Sequence, residues 1–283
     1  MSHRIHKFSS LSRPLEPQYP TNLAVIILLP AIAIGLFAWL AIGGAGMAAA
    51  ASSAILGMLA AFVGWALGRE MDPDHNATAF IAMALTVLAA GLGYDFDVLS
   101  AAALLFAVRI VNRTVGPQAR TGDIVMLFLF NLGALFIDGA WWMPFISAAA
   151  LAIDEVFERS NLPQRITMLM LVLIGAQALL VGEQADLSAH ETLIRGWIVT
   201  VVVITILVAA NIPGTTEIRA RMDAVDAPCQ ARRVQAGMAI LLAGGLASLL
   251  GGQQGLTEAV AVWAVLAASL VGRNISLEKS DEA

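Results

Sequence analysis

Ten long apolar runs, separated by short polar segments, make up most of this chain. Runs such as 23–42 are apolar on every side, whereas a strand of a membrane barrel would alternate apolar and polar residues. Backbone groups in lipid must be hydrogen-bonded within their own segment, which favours helices. The pattern predicts an all-α, polytopic membrane bundle of about ten transmembrane helices, at 23–42, 46–67, 77–93, 98–115, 123–138, 141–153, 166–182, 193–212, 234–250 and 256–272.

Several of these runs are shorter than the roughly 20 residues that cross a 30 Å hydrocarbon core. The weakest run, 141–153, would also suit a re-entrant or interfacial segment, so an eight-span alternative stays open. The same pattern divides the chain into a cytoplasmic N-terminal segment, a transmembrane domain and a cytoplasmic C-terminal tail, at 1–22, 23–272 and 273–283.

The positions of the basic residues predict the orientation, because Lys and Arg concentrate in cytoplasmic loops. With ten spans and the N-terminus inside, fifteen of the sixteen basic residues fall on the cytoplasmic side, and only Arg195 does not. We therefore expect both termini in the cytoplasm and a multi-pass protein of the cell membrane (plasma or inner membrane).

Composition agrees with lipid as the solvent. The chain is 59% hydrophobic and 13% charged, whereas soluble domains carry about 25% charged residues. The single cysteine, Cys229, excludes an internal disulfide. We expect membrane lipids as partners and no nucleic acid.

Small residues follow one another at helical spacing in the second run. Ser53, Gly57 and Ala61 form one row, and Gly64 and Gly68 follow on an adjacent row. Small residues let transmembrane helices approach closely. Such a face would pack against another helix of the same chain or form a homo-oligomer, although general alanine-rich membrane composition would give a similar pattern.

The connection 213–233 has two interpretations. Apolar residues at three- and four-residue steps, with arginines between them, suit a short helix lying in the membrane interface. Pro228 interrupts the run, so a solvated loop is the alternative.

Charged residues gather at the predicted cytoplasmic ends of the helices. Glu70, Asp72 and Asp74 lie within five positions, where like charges repel unless cations neutralise them. Mg²⁺ typically binds through one or two carboxylates together with substrate phosphates. These three residues are the candidate Mg²⁺ ligands, with helix capping as the structural alternative.

Three arginines are the candidate phosphate-binding residues: Arg69, Arg109 and Arg113. An unpaired guanidinium at the depth of Arg109 would be costly, so we expect it to pair with a carboxylate or with a phosphate. Arg113 lies one helical turn further on and would face the same way. Anchoring of helix ends at lipid headgroups is the alternative.

The Arg113-Thr114 and Gly122-Asp123-Ile124 pieces are similar to the sequence that trails the first aspartate-rich motif of membrane prenyltransferases. The resemblance implies a lipid diphosphate held by metal and arginine. It covers about a tenth of the chain, and it departs from that family because the run before Arg109 is purely apolar. It does not assign the chain to that family.

Three functions are compatible with these sequence patterns. The first is a membrane-embedded enzyme that handles a lipid phosphate or diphosphate at the cytoplasmic face with Mg²⁺; the sequence identifies no catalytic residue for it. The second is a ten-helix secondary transporter of a small metabolite, whose route would be lined by Asn131, Gln177 and Asp138. The third is a non-catalytic membrane scaffold.

Overall fold

The structure is a computed structural model that describes residues 9–159, 161–181, 194–225 and 227–275. These residues are predominantly helical and contain no strand beyond an isolated bridge between Arg221 and Pro228. The helices are α1 (Pro20–Ile42), α2 (Met47–Met71), α3 (Asn76–Gly91), α4 (Val98–Asn112), α5 (Thr121–Phe136), α6 (Met143–Phe157), α7 (Leu162–Val181), α8 (Ile194–Asn211), α9 (Ala231–Ser248), α10 (Gly252–Glu258) and α11 (Val260–Gly272). A 3₁₀ turn, Leu249–Gly251, joins α9 to α10. The all-helical prediction is confirmed, and each apolar run contains a helix.

Four helical stretches are long and apolar enough to cross a membrane: Pro20–Ile42, Met47–Met71, Leu162–Leu180 and Ala231–Glu258. Five other apolar helices are shorter, for example Val98–Asn112. At 1.5 Å per residue, a 15-residue helix spans about 23 Å, somewhat less than a hydrocarbon core of about 30 Å. The apolar helices indicate a membrane protein.

The outward surface of the bundle is apolar along whole helices. Ile27 and Ile34 on α1, and Leu169 and Leu173 on α7, are all exposed. Soluble monomers rarely expose contiguous apolar surface on this scale. These helices therefore present the surface that lipid would cover.

The predicted small-residue face packs α2 against α3. A Cβ on Gly64 would lie 2.9 Å from Thr86 Oγ1, and one on Gly68 would lie 2.7 Å from Ala79 Cα. A Cβ on Gly57 would lie similarly close to Ala90. The prediction of close helix packing is confirmed for these glycines, whereas Ser53 is exposed. Since α3 occupies this face within the chain, homo-oligomerisation through small-residue faces stays a prediction.

The connection between α8 and α9 is a loop, so the interfacial-helix alternative is wrong for its described residues. Its backbone pairs with itself, from Cys229 N–H to the Ala220 carbonyl at 3.0 Å. It also pairs with the loop after α4, where Asp223 N–H donates to the Thr114 carbonyl at 3.1 Å. These hydrogen bonds replace the intrahelical ones, and they dock the loop onto the end of α4.

Charged segments that are distant in sequence meet at one end of the bundle, which we call the charged end. It contains the end of α2, the end of α4, the end of α6, the α8–α9 loop and the start of α9, joined by ion pairs such as Arg109–Glu70, Arg113–Asp154 and Arg233–Asp154. These contacts place the C-terminal ends of α2, α4 and α6 at the same end of the bundle. Arg4, Lys7, Lys279 and the side chain of Arg195 lie outside the described part.

Candidate functional site

A buried carboxylate forms the centre of the charged end. Glu70, in the last turn of α2, is 0% exposed. Arg109 donates to its carboxylate at 3.1 Å, Arg13 at 3.4 Å, and the hydroxyl of Thr114 at 2.7 Å. Asn112 donates to its backbone carbonyl at 2.9 Å. Buried charges persist when they are paired and hydrogen-bonded, and Glu70 meets both conditions. Arg109, for which a carboxylate or a phosphate partner was predicted, pairs with the carboxylate of Glu70.

The other two predicted metal ligands have separate partners. Asp72 accepts from the hydroxyl of Thr78 at 2.8 Å and contacts His75 Nδ1 at 2.9 Å. Asp74 accepts from the backbone N–H of Arg219 at 3.0 Å, so it fixes the α8–α9 loop rather than capping α3.

The three carboxylates therefore do not converge on one point. Among the described residues, no group of three or more His, Cys, Asp or Glu side chains is arranged to hold a metal ion. Mg²⁺ binding stays a prediction, for which these side chains provide no shared site in the structure.

Arg113 does not join Arg69 and Arg109. It follows the end of α4 with a left-handed backbone, φ 52°, so the helical spacing that predicted a shared face no longer applies. Its guanidinium instead pairs with Asp154 at 3.0 Å and with Glu158. Asp154 is 0% exposed and also pairs with Arg233 at 2.7 Å. This second cluster ties α4, α6 and α9 together.

A cavity of about 300 Å³ opens at the charged end, beside Glu70. We call it the arginine cavity because three guanidinium side chains line it. Its other walls are aromatic and polar side chains from α1, α2 and the α8–α9 loop. The lining residues are Ser12, Arg13, Pro14, Leu15, Glu16, Tyr19, Thr21, Asn22, Phe62, Trp65, Arg69, Arg109, Val115, Asp223 and Ala224. The structure thus brings Arg69 and Arg109 of the predicted set together.

The segment before α1 forms one wall of this cavity. We call residues 9–19 the N-terminal strap. Ser10 donates from its backbone N–H to Asp123 at 2.9 Å, and the buried Leu11 offers its carbonyl to Arg109 at 3.4 Å. Arg13 donates to Asp223 at 2.7 Å and to Glu70 at 3.4 Å. Contacts to four different parts of the chain hold the strap in place.

The arginines of the cavity differ in their partners. Burial alone would lower the pKa of Arg13, but the carboxylates of Glu70 and Asp223 outweigh it and raise that pKa above its ordinary value. Arg69 stacks over the ring of Trp65, with its guanidinium carbon 5.3 Å from the ring centroid. Arg69 forms no ion pair with any carboxylate of the described residues, so its charge is available to a ligand.

Cys229 lies close to the same charges, which disfavour its thiolate form. It is buried, and burial together with the negative charge of Glu70 raises the pKa of its thiol to about 11. The thiolate is the reactive form of cysteine. Cys229 therefore stays protonated at neutral pH.

Sequence reasoning missed Arg13, Asp223 and Trp65 as members of the site. Arg13 and Asp223 are 210 residues apart, and no local pattern marks either of them as a partner of the other. Trp65 lies one helical turn before Arg69, and this spacing was the one signal that could have indicated their stacking.

The three residues proposed for a transport route have unlike surroundings. Asn131 is buried and its amide donates to the hydroxyl of Ser147 at 2.9 Å, which joins α5 to α6. Gln177 is exposed on α7. Asp138 follows the end of α5, at the end of the bundle opposite the charged end and close to Asp97. No described contact joins the three.

The position of Asp97 beside Asp138 predicts that the stability of the protein depends on pH. Burial, together with the neighbouring carboxyl group of Asp138, raises the pKa of Asp97 above its ordinary value. Above about pH 4 the unfolded chain has released this proton, whereas the folded protein still binds it. The free energy of unfolding therefore falls as the pH rises above about 4. Asp97→Asn keeps the cap on Ser100 N–H and removes this titration.

We expect wild-type protein to lose roughly 2–4 °C in its unfolding midpoint between pH 5 and pH 8.5 relative to Asp97→Asn. Thermal unfolding in detergent at both pH values measures the difference. Parallel pH profiles for the two proteins would show that Asp97 does not hold the proton.

No protein-family model matches the chain, and neither the curated proteins nor the solved structures contain a significant match. The arginine cavity is therefore the feature from which a function can be inferred.

Proposed function

We propose that this chain is a multi-pass membrane protein that binds the phosphate of a membrane lipid in the arginine cavity. In this proposal it crosses the cell membrane (plasma or inner membrane) ten times, with both termini and the charged end on the cytoplasmic side. The cavity then lies at the level of the headgroups, where a phosphate enters from the bilayer.

Two features support the topology. Each of the ten apolar runs contains a helix, and several basic residues assigned to the cytoplasmic side form ion pairs at the charged end, among them Arg13, Arg109 and Arg233. Helices such as α4 are short for a bilayer, but local thinning of the bilayer accommodates a short span at modest cost. Reporter fusions at the α2–α3 and α4–α5 connections would test this topology.

The observation that carries the proposal is the convergence of Arg13, Arg69 and Arg109 on one cavity. The planar guanidinium fork matches phosphate geometry. Phe62 and Trp65 add an apolar wall beside these charges, as the junction between a headgroup and its lipid tail requires. A soluble anion would need no such wall, so the cavity favours a lipid phosphate.

An enzyme that acts on a lipid phosphate or diphosphate with Mg²⁺ remains our leading reaction class. Mg²⁺ usually arrives with the substrate phosphates and takes few protein ligands, so a preformed cage of carboxylates is not required. Glu16 and Asp223 are the carboxylates that line the cavity itself. Release of phosphate or diphosphate from a bound lipid, with and without Mg²⁺, would test this step.

Arg69→Gln tests the binding proposal. Arg69 has no ion pair among the described residues, so the substitution removes the charge that is free to meet a ligand and leaves the Glu70 cluster intact. We expect binding of anionic phospholipid to weaken about tenfold or more, as for a lost charge-assisted hydrogen bond. Native mass spectrometry of protein released from nanodiscs measures the bound lipid.

Arg159→Gln is the matched control. Arg159 is also basic and near the charged end, but it is exposed and outside the cavity. The substitution removes the same formal charge as Arg69→Gln, but it changes only the long-range attraction. Lipid binding should therefore stay within about twofold of that of the wild type. Equal losses from both substitutions would contradict a specific site.

A further inference from the structure

The charges around the arginine cavity are largely neutralised by the protein itself. Arg13 contacts both Glu70 and Asp223, and Arg109 contacts Glu70. Two guanidiniums thus share two carboxylates. Arg69, stacked on Trp65, is the one lining arginine without a carboxylate partner among the described residues.

A ligand cannot readily take over the paired arginines. Glu70 is 0% exposed, and removing a partner from a buried ion pair leaves an uncompensated charge at large cost. Arg13 would also have to leave Asp223. The positive charge that the cavity offers at little cost is therefore the single charge of Arg69.

A second negative charge on the ligand would meet repulsion. Glu16 lines the cavity and is only partly exposed, and its carboxylate accepts from the side chain of Gln18 at 2.6 Å rather than from an arginine. Asp223 also lines the cavity, but Arg13 already balances its charge. Like charges brought together with partial desolvation are unfavourable. Neutral polar side chains can still serve further phosphate oxygens, since Thr21 and Asn22 line the same cavity.

On the basis of the proposed function, we propose that the cavity selects a singly charged phosphodiester headgroup over a phosphomonoester or a diphosphate. An anionic phosphodiester headgroup such as phosphatidylglycerol has a net charge of −1, which Arg69 matches, whereas the choline of phosphatidylcholine cancels the charge of its phosphate. A phosphomonoester carries about −1.5 to −2 at pH 7, because its second pKa is about 6. A diphosphate then binds well only when Mg²⁺ accompanies it.

The first test compares headgroups in nanodiscs of otherwise identical composition. The probes are phosphatidylglycerol as the diester, phosphatidic acid as the monoester and farnesyl diphosphate with and without Mg²⁺, against phosphatidylcholine as the baseline. We expect phosphatidylglycerol to bind about tenfold more tightly than phosphatidic acid. Mg²⁺ should strengthen binding of the diphosphate and leave binding of phosphatidylglycerol nearly unchanged.

Asp223→Asn is the variant that tests the charge count. It adds one positive charge to the cavity with little change in shape, while Arg13 keeps its contact with Glu70. Binding of phosphatidic acid should rise about tenfold, which would remove the preference for the diester. Glu217→Gln is the control, because Glu217 is exposed on the same loop and does not line the cavity.

The outcomes separate this inference from the proposed function. Equal or tighter binding of phosphatidic acid by wild type, or an unchanged preference in correctly folded Asp223→Asn, overturns the charge selection and leaves lipid-phosphate binding standing. Binding of every anionic probe at the level of phosphatidylcholine, with no effect of Arg69→Gln, removes both. Circular dichroism and size-exclusion profiles establish that each variant is folded.

Discussion

Replacing Asp154 with alanine should lower the free energy of unfolding by about 3–5 kcal/mol, the usual cost of breaking a buried ion pair. Asp154 is 0% exposed and contacts Arg113 at 3.0 Å, Arg233 at 2.7 Å and the amide of Gln164 at 3.0 Å. Without it, two largely buried guanidiniums lose their shared partner. Unfolding in mixed micelles by titration with SDS measures the change.

The neighbouring Glu155→Ala is the matched control. Glu155 pairs with Arg165, and both side chains are about one-third exposed, at 31% and 39%. An exposed pair of this kind contributes at most about 1 kcal/mol. Similar small losses for Asp154→Ala and Glu155→Ala would mean that Asp154 does not hold the ends of α4, α6 and α9 together.

Adding a single methyl group at Gly68 should destabilise the protein by about 1–3 kcal/mol, the usual cost of overpacking. Its Cβ would lie 2.7 Å from Ala79 Cα and 3.3 Å from the carbonyl oxygen of Thr78, and both of these are backbone atoms. Helix α3 would have to move away from α2. Because Gly68 is two residues before Glu70, the shift should also weaken lipid binding at the arginine cavity.

Gly35→Ala on α1 isolates the packing effect. A Cβ at Gly35 meets nothing within 4 Å, so only the intrinsic helix preference changes, which favours alanine by roughly 0.5–1 kcal/mol. We expect Gly35→Ala to be neutral or stabilising in the same SDS titration. If Gly68→Ala were equally well tolerated, the close approach of α2 and α3 would be wrong.

The helices could be predicted from the sequence because the signal for them is local. An apolar run bounded by polar turns already contains the information, and even the weakest run, 141–153, lies largely within a helix, Met143–Phe157. Close packing at Gly64 and Gly68 could also be predicted, since their spacing along one helix places them on one face.

The candidate site was only partly predictable. Arg109 was expected to have a partner because a charge near the hydrocarbon is costly, and the structure pairs it with Glu70 at 3.1 Å, a residue that the sequence had suggested as a metal ligand. Arg113 was assigned to the same face by helical spacing, but the helix ends at Asn112 and the chain turns away. Helical spacing predicts which face a side chain lies on only for residues within the helix.

The carboxylates of the α2–α3 turn show a second limit. Glu70, Asp72 and Asp74 are close in sequence, which suggested a common ligand, yet each side chain has its own partner. Arg13 and Asp223 are far apart in sequence, yet they touch. In both cases the partner of each side chain is determined by tertiary contacts between distant segments. Local patterns in one sequence do not indicate such contacts.

The N-terminal strap also dictates an order of assembly. Its residues are made before Asp123, Arg109 and Asp223, which hold it and follow between about one hundred and more than two hundred residues later. Contacts of such sequence separation form slowly because loop closure must come before them. The arginine cavity is therefore completed only after most of the helices have been made. In the proposed function, a nascent chain would expose its arginines at the bilayer surface before it could enclose a lipid.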